Sequence, residues 1–439
     1  MVVHGLAGPD LASTNLATVG TWVHYRGLLV IALLAIGNVF CAGCPFVRVR
    51  DWGRRLHVPR LAWPARLRGK WIGLALFIAV LFAYEWFDLW ALPAATAWLV
   101  LAYFAAAFAI DVTFRGASFC QHLCPIGQFN FVASTTSPFE VQVRDRGTCD
   151  TCHTADCVSG RRAAPASQTI VQRGCELGLF LPAKVGNLDC TFCLDCVQAC
   201  PHDNVAVASR VPALELTDDT RRSVIGRLVD RTDILALIVV FVFGALVNAG
   251  AMTASVHAVQ VWMSAALGEP PEGVVLALLF AAGVMVLPTL AMGAAAMTTR
   301  RLAGTAWSSM SIARRFVPGL VPLGVGVWFA HYSFHLLTGL LVIVPVTQSA
   351  AIDLFGVVLL GEPLWRLTGL RSGVVFPLQM GAVMLGTLGS VAVTLSVAQR
   401  DFGDRAGRAA WPWIALVGLL AGGAFWILGQ PMEMRGVGL

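Results

Sequence analysis

The chain has 439 residues, 57% of them hydrophobic and 13% charged, with a mean hydropathy of +0.72. Soluble domains run near ~45–50% apolar and ~25% charged, so a purely soluble globular enzyme is excluded, and several stretches reach the ~20 apolar residues that cross a bilayer core. A net charge of +6 would suit a nucleic-acid binder, but the basic residues are confined to particular loops, which removes that reading.

In chain order, residues 1–24 lack the basic start of a cleavable signal and read as an outer N-terminal tail. Spans are expected at 25–42, 71–90, 93–113, 233–253, 273–297, 316–345, 375–397 and 411–429. Of the 31 Lys and Arg residues, 27 fall in 45–70, 114–232, 298–315 and 398–410, all on one side if the spans alternate. The other side keeps Arg26, Arg366, Arg371 and Arg435. The positive-inside rule makes the basic loops cytoplasmic and puts both termini outside. The expected organisation is the tail, an N-terminal membrane domain (25–142), a cytoplasmic insert (143–230) and a C-terminal membrane domain (231–439). Residues 253–273 read as an interfacial helix ended by Pro270 and Pro271. Residues 351–365 are too short to cross. Pro288, Pro318 and Pro322 should bend or start their helices. Asp111 and Arg115 have the i, i+4 spacing of an ion pair.

The insert carries the chemistry. "DCTFCLDCVQACPHDN" (189–204) sets Cys190, Cys193, Cys196 and Cys200 in the rhythm C-x2-C-x2-C-x3-C, followed by Pro201. Three thiolates two residues apart can each take one corner of a cuboidal cluster, and the fourth, ahead of a turning proline, serves a second cluster, as in two-cluster bacterial ferredoxins. Structural zinc sites use separated C-x2-C knuckles and do not call for this third cysteine or the Cys–Pro ending. The partner run is looser: Cys149, Cys152 and Cys157, then Cys175 after seventeen intervening residues. Exchange of the remote cysteine predicts one [4Fe–4S] cluster on Cys149, Cys152, Cys157 and Cys200 and another on Cys190, Cys193, Cys196 and Cys175. One cluster at 190–200 with spare thiols, or zinc on the first run, is the plainer alternative.

Four further cysteines stand at span ends: Cys41 and Cys44 in "FCAGCPF", Cys120 and Cys124 in "FCQHLCPIGQF". Each pair ends in Cys–Pro, where proline is expected to stop or turn a helix. At matched depth, the four thiolates could hold a third iron–sulfur cluster at the cytoplasmic membrane face; the alternative is buried cysteine acting as a small apolar residue. On the cytoplasmic side disulfides are the wrong expectation for all twelve.

Cys–Pro pairs at span ends followed by a ferredoxin module make residues 25–205 resemble the membrane polyferredoxins of the NapH/NosR/CcoG type, and FesM-like membrane ferredoxins among them. The first pair departs from that family's C-x3-C-P spacing by one residue, and the last five spans lie outside the resemblance. It implies electron transfer by iron–sulfur clusters in a bacterial inner membrane. The fold class expected is an all-α polytopic membrane protein of about eight transmembrane helices with an inserted α+β bacterial-type two-cluster ferredoxin domain.

The outer half offers His331 and His335, one helical turn apart and leaving one face, with His24 and His257 as further ligand candidates. Ionisable groups inside a membrane are functional suspects because their burial is costly. Haem b, a metal, a quinone contact or helix-packing hydrogen bonds all fit these four residues. Glu85, Asp88, Glu269, Glu272, Asp353 and Glu362 mark the outer side as interface residues or a docking patch. Gly381, Gly386 and Gly389 suggest close helix contact. No hydrolase or phosphate-binding motif is present, so no self-contained catalytic site is expected. The reading is an electron-transfer subunit between a cytoplasmic redox donor protein and quinone or a periplasmic electron carrier, in a hetero-oligomeric complex in the lipid bilayer. The alternative is a maturation factor supplying electrons to a periplasmic metalloenzyme.

Overall fold

The computed structural model describes residues 1–431 apart from His57, Val58, Arg60, Pro165, Ala166 and Gln168; Arg435 lies outside the described residues. The chain is mostly helical, with four short strands. Six stretches among the described residues are long and apolar enough to cross a membrane: Leu16–Ala35, Pro93–Thr113, Thr232–Gly250, Glu272–Leu302, Ser309–Thr338 and Ser372–Leu428. The last is two helices, Ser372–Phe402 and Ala406–Leu428, joined by a 3-10 turn at Gly403–Arg405. The segment expected to span at 71–90 forms Trp71–Trp86, whose 16 residues fall short of the ~20 that cross a bilayer core. The expected interfacial helix is Ala254–Ala266, capped by the Thr253 hydroxyl. The chain around 351–365 ends a helix, Ile343–Phe355, at left-handed Gly356 and continues without regular structure.

Prolines set the starts of elements. Pro288 and Pro322 stand just after a change of helix geometry, the π turn Ala282–Val286 and the 3-10 turn Val317–Leu320, the latter holding Pro318. Asp111 does not reach for Arg115. Its Oδ1 accepts the Phe119 N–H at 2.9 Å, and Arg115 is exposed. A carboxylate buried at the end of an apolar helix finds a free backbone N–H nearer than a solvated guanidinium.

The chain forms two compact units interleaved along the sequence. One comprises Met1–Ile31, Ile78–Tyr103 and Ile238–Leu439, the other Ala32–Phe77 and Phe104–Leu237. In the first, Val321–Thr338 packs on Ser372–Phe402 through glycines. A Cβ at Gly326 would meet the Ala382 carbonyl at 2.7 Å, and one at Gly386 the Pro322 carbonyl at 2.6 Å. Gly389 also abuts Pro322, whereas Gly381 faces open space. Close backbone approach of this kind holds apolar helices together where a hydrophobic driving force is absent.

The second unit holds all twelve cysteines. Strand β1 (Phe139–Val143) pairs antiparallel with β4 (Val205–Ser209), Val143 opposite Val205, and β2 (Arg161–Arg162) pairs with β3 (Ile170–Gln172). Val141, Val205, Leu181, Phe192 and Cys196 form its buried core. Each such side chain contributes roughly 1.5–3 kcal/mol when fully buried. Buried charges nearby are paired. Arg210 and Arg222 both meet Glu215, and Lys70 meets Asp189.

Candidate functional site

The β1–β4 register decides which cysteines meet. Beyond Val143 and Val205, the Arg144 N–H donates to the Asn204 carbonyl at 2.8 Å. The Asp145 N–H donates to Asn204 Oδ1 at 2.9 Å. Cys149 follows Asp145 by four residues and Cys200 precedes Asn204 by four, so the pairing folds them onto each other. Cys149 and Cys157 both feel Cys200 and Cys152 electrostatically. Asn204 is bonded to two of these sulfurs, donating from Nδ2 to Cys149 Sγ at 3.3 Å and from its backbone N–H to Cys200 Sγ at 3.4 Å.

A second set gathers around Cys190. Cys196 faces Cys190, Cys175 and Cys193. The remote member, Cys175, is brought in by close backbone packing: a Cβ on Gly174 would lie 2.5 Å from the Val158 carbonyl, and the Cys175 N–H donates to the Cys157 carbonyl at 2.8 Å. Helix Asp195–Ala199 carries Cys196 and ends on Cys200, so one turn supplies a thiol to each set. The loop itself is shaped by left-handed residues: Asp189, Phe192, Leu194 and Asp203 have φ of 64°, 57°, 65° and 50°. Alternation of such residues with ordinary ones turns successive N–H groups inward into a nest for negative charge, and sulfur is its occupant here. The N–H groups of Leu177, Gly178 and Leu179 face the Cys175 sulfur, and that of Asp195 faces Cys193.

The third set comprises Cys41, Cys44, Cys120 and Cys124. Cys120 faces Cys124 and Cys41, and Cys124 faces Cys41 and Cys44. A helical turn ends before each Cys–Pro pair, Val39–Ala42 and Phe119–Leu123, and each proline starts the next helix. Pro45 opens Pro45–Leu56 and Pro125 opens Pro125–Ala133. Each preceding cysteine therefore caps a helix N-terminus. Cys124 Sγ accepts the Gly127 N–H at 3.2 Å, and Cys44 sulfur faces the N–H groups of Phe46 and Val47. Orphan N–H groups and the positive end of a helix both favour a thiolate. Cys120 sits in a π-helical turn, Phe119–Leu123, a widened turn of the kind common at functional sites. Asn130 Nδ2 donates to Cys41 Sγ at 3.3 Å.

Burial dominates the electrostatics of the second and third sets. It pushes the Cys41 thiol up to about 12 and holds Cys44, Cys120, Cys124, Cys175 and Cys196 above the ordinary thiol value, with neighbouring thiols adding to the rise at Cys41, Cys120, Cys124, Cys175 and Cys196. In the first set Cys157 is pushed up to about 11 by burial, but Cys152 lies below its ordinary value, because the Ala155 N–H bonds its sulfur near the surface. Among the described residues no three His, Cys, Asp or Glu side chains converge on one point as a single ion requires. A multi-iron cluster asks for no such point, since each thiolate binds a different iron.

The four histidines part company. Nδ1 and Nε2 of His24 lie 3.2 Å from the Val19 and Leu340 carbonyls, only one of which a neutral ring can bond, and His257 is exposed on its helix. His331 and His335 are buried, their rings 5.1 Å apart, with both nitrogens of His331 and Nε2 of His335 unpartnered. Arg26 lies within electrostatic reach of both. Its guanidinium rests on Trp22, Tyr84 and Tyr332 at 5.1, 4.8 and 4.7 Å from the ring centres. Of the acidic residues, Asp353 meets buried His4 at 3.0 Å and Glu272 meets Gln260 at 3.0 Å. Glu85 is buried beside Asn248, and Glu362 is exposed. Asp88 and Glu269 take left-handed turn conformations. His57, read as cytoplasmic, lies outside the described residues.

Asn204, Asn130, Lys70 and Arg26 are the site residues that spacing did not disclose. Only the rarity of Arg26 inside an apolar span was a visible signal.

Comparison with known proteins finds one similarity. Over 106 residues, 24% of this chain, it is 30% identical to the "Ferredoxin-type protein NapH" of Haemophilus influenzae. The match spans a third of that protein's length. No family model matches the chain, and no solved structure matches it.

Proposed function

We propose that this protein is a membrane-bound iron–sulfur electron-transfer subunit of the bacterial inner membrane. It would pass electrons between a cytoplasmic donor protein and quinone or an outer-side acceptor. The observation that carries this reading is the sorting of twelve cysteines into three sets of four facing thiols, each set met by N–H donors. The similarity to a ferredoxin-type protein supports it over a quarter of the chain.

The residues fit [4Fe–4S] clusters by the chemistry of their donors: four thiols per set, the number such a cluster takes, in loops whose backbone N–H groups point at sulfur. Cys149, Cys152, Cys157 and Cys200 would hold one, Cys175, Cys190, Cys193 and Cys196 a second, and Cys41, Cys44, Cys120 and Cys124 a third. When bound, such clusters supply reversible one-electron storage at a potential set by charge, solvent access and hydrogen bonds to sulfur. The protein's part is to keep the thiols converged, bury Cys44, Cys124, Cys190 and Cys196, and offer Asn204, Asn130 and backbone N–H groups to the sulfurs.

In the other unit, His331 and His335 favour contact with a quinone over haem b. Haem b commonly takes axial histidines from two helices, but the His24 ring lies 3.2 Å from a carbonyl at each nitrogen and His257 is exposed. Unpartnered buried ring nitrogens call for a partner, and quinone carbonyls can supply acceptors for them. The test is membrane vesicles carrying Cys193→Ser, assayed for quinone reduction by a low-potential cytoplasmic-side donor. Loss of the reaction is expected. Undiminished rates would take the cysteine-rich loop off the electron path.

A further inference from the structure

Cys120 of the third set and Cys190 and Cys175 of the second pack on one apolar cluster, and one buried side chain bonds across from the third set to the second. Asn38 is fully buried, at the N-cap position of Val39–Ala42, yet its side chain makes no cap bond, which is the usual reason for asparagine there. Its Nδ2 instead donates to the Cys190 carbonyl at 3.0 Å, while its own carbonyl accepts the Cys41 N–H at 3.2 Å. Beyond its own set, Cys41 faces Cys190 and the Asn38 amide. The residue before it, Gly37, has φ +112°, and a Cβ there would lie 3.1 Å from Ser137 Oγ and 3.5 Å from the Phe192 ring. That conformation favours glycine. Phe192 lies between Cys190 and Cys193, so the Gly37–Asn38 turn is seated directly on the loop of the second set.

Asn38 Oδ1 has no partner. An orphaned buried oxygen is a standing cost that an apolar residue of similar shape would avoid. Packing alone therefore does not explain an asparagine here; its N–H does. Asn130 makes the informative contrast. It donates to Cys41 Sγ at 3.3 Å but is not bonded to the second set.

We infer that Asn38 is a positioning residue that ties Cys41 to Cys190, fixing the spacing of the second and third thiol sets while its amide also faces the third. The inference rests on the iron–sulfur reading and concerns the order of the sets: the Cys190 set stands between the Cys149 set, to which Cys175 N–H···O=C Cys157 binds it, and the Cys41 set.

The test is electron paramagnetic resonance of the anaerobically purified full-length protein and of its Asn38→Leu and Asn130→Leu variants, with iron and sulfide counted in each. Both variants are expected to retain iron and to lower the midpoint potential of the same single centre, because donors to sulfur favour the more reduced state. Only Asn38→Leu should lose the magnetic interaction between that centre and its neighbour. A wild-type interaction in Asn38→Leu, or equal loss in Asn130→Leu, would overturn the inference. If Asn38→Leu sheds iron, Asn38→Asp, which keeps the shape and removes the N–H, is read by the same criterion. Parent protein that binds no iron at all would overturn the iron–sulfur reading instead.

Discussion

The Cys149 set and the Cys41 set have the same four ligands and opposite surroundings. Cys149 in the short helix Arg146–Asp150 and Cys152 just after it are half-buried, and the Ala155 N–H lowers the Cys152 thiol. Cys44 and Cys124 are buried at helix starts, and burial drives Cys41 to about 12. Ligand count fixes what can bind, and surroundings fix how readily it binds and at what potential. The exposed set is suited to exchange with a soluble partner, the buried one to shielded transfer at the membrane.

The largest expected effect comes from the buried pair Lys70–Asp189, next to Cys190. Lys70→Met leaves the Asp189 charge uncompensated and should destabilise the protein by about 3–5 kcal/mol, whereas Lys70→Met with Asp189→Leu should recover most of that. Thermal unfolding in detergent reads both. Next in size, alkylation of metal-free protein should modify Cys152 first and Cys120 and Cys124 last. The rates should differ by roughly tenfold or more, since each unit of thiol pKa is tenfold in thiolate. Mass spectrometry of quenched samples reads the order, and simultaneous labelling would erase the contrast between the sets.

A smaller effect sharpens the contrast. Asn204→Ala removes the Nδ2 donor to Cys149 and should shift the potential of the exposed centre alone, by the equivalent of about 0.5–1.5 kcal/mol for one hydrogen bond. A redox titration that moves the buried centre as well would contradict the assignment. The smallest is Asp145→Ala. Asp145 caps helix Arg146–Asp150 through the Thr148 hydroxyl and the Thr148 and Gly147 N–H groups, which hold its carboxyl below the ordinary value. A carboxyl lowered on folding stabilises above its unfolded pKa, and that contribution is lost as pH falls through the folded one. The variant should therefore show faster amide exchange around Cys149 at neutral pH and converge with the parent on acidification.

The cysteine spacings suggested the three sets, because short fixed gaps leave few ways for thiols to face one another. What joins them was not readable. The strand pair that carries Cys149 to Cys200 has five residues per strand, and nothing in the spacing of Lys70 and Asp189, 119 residues apart, marks them as partners. Single asparagines such as Asn38, Asn130 and Asn204 leave no periodic trace. The Cys–Pro pairs were legible as boundaries, since a helical turn ends just before each; that proline also opens the next helix, leaving cysteine as its cap, was not. Asp111 shows the limit of the i, i+4 rule at a helix end, where a free N–H outcompetes an exposed arginine. In the helical remainder, hydropathy located the long helices, while the 16-residue Trp71–Trp86 shows why apolar character alone does not fix a span count.

The most direct test counts metals in full-length protein purified without oxygen. Three clusters predict about twelve irons and as many acid-labile sulfides per chain, with a brown colour that bleaches on reduction. A colourless preparation holding zinc at these cysteines would contradict the account.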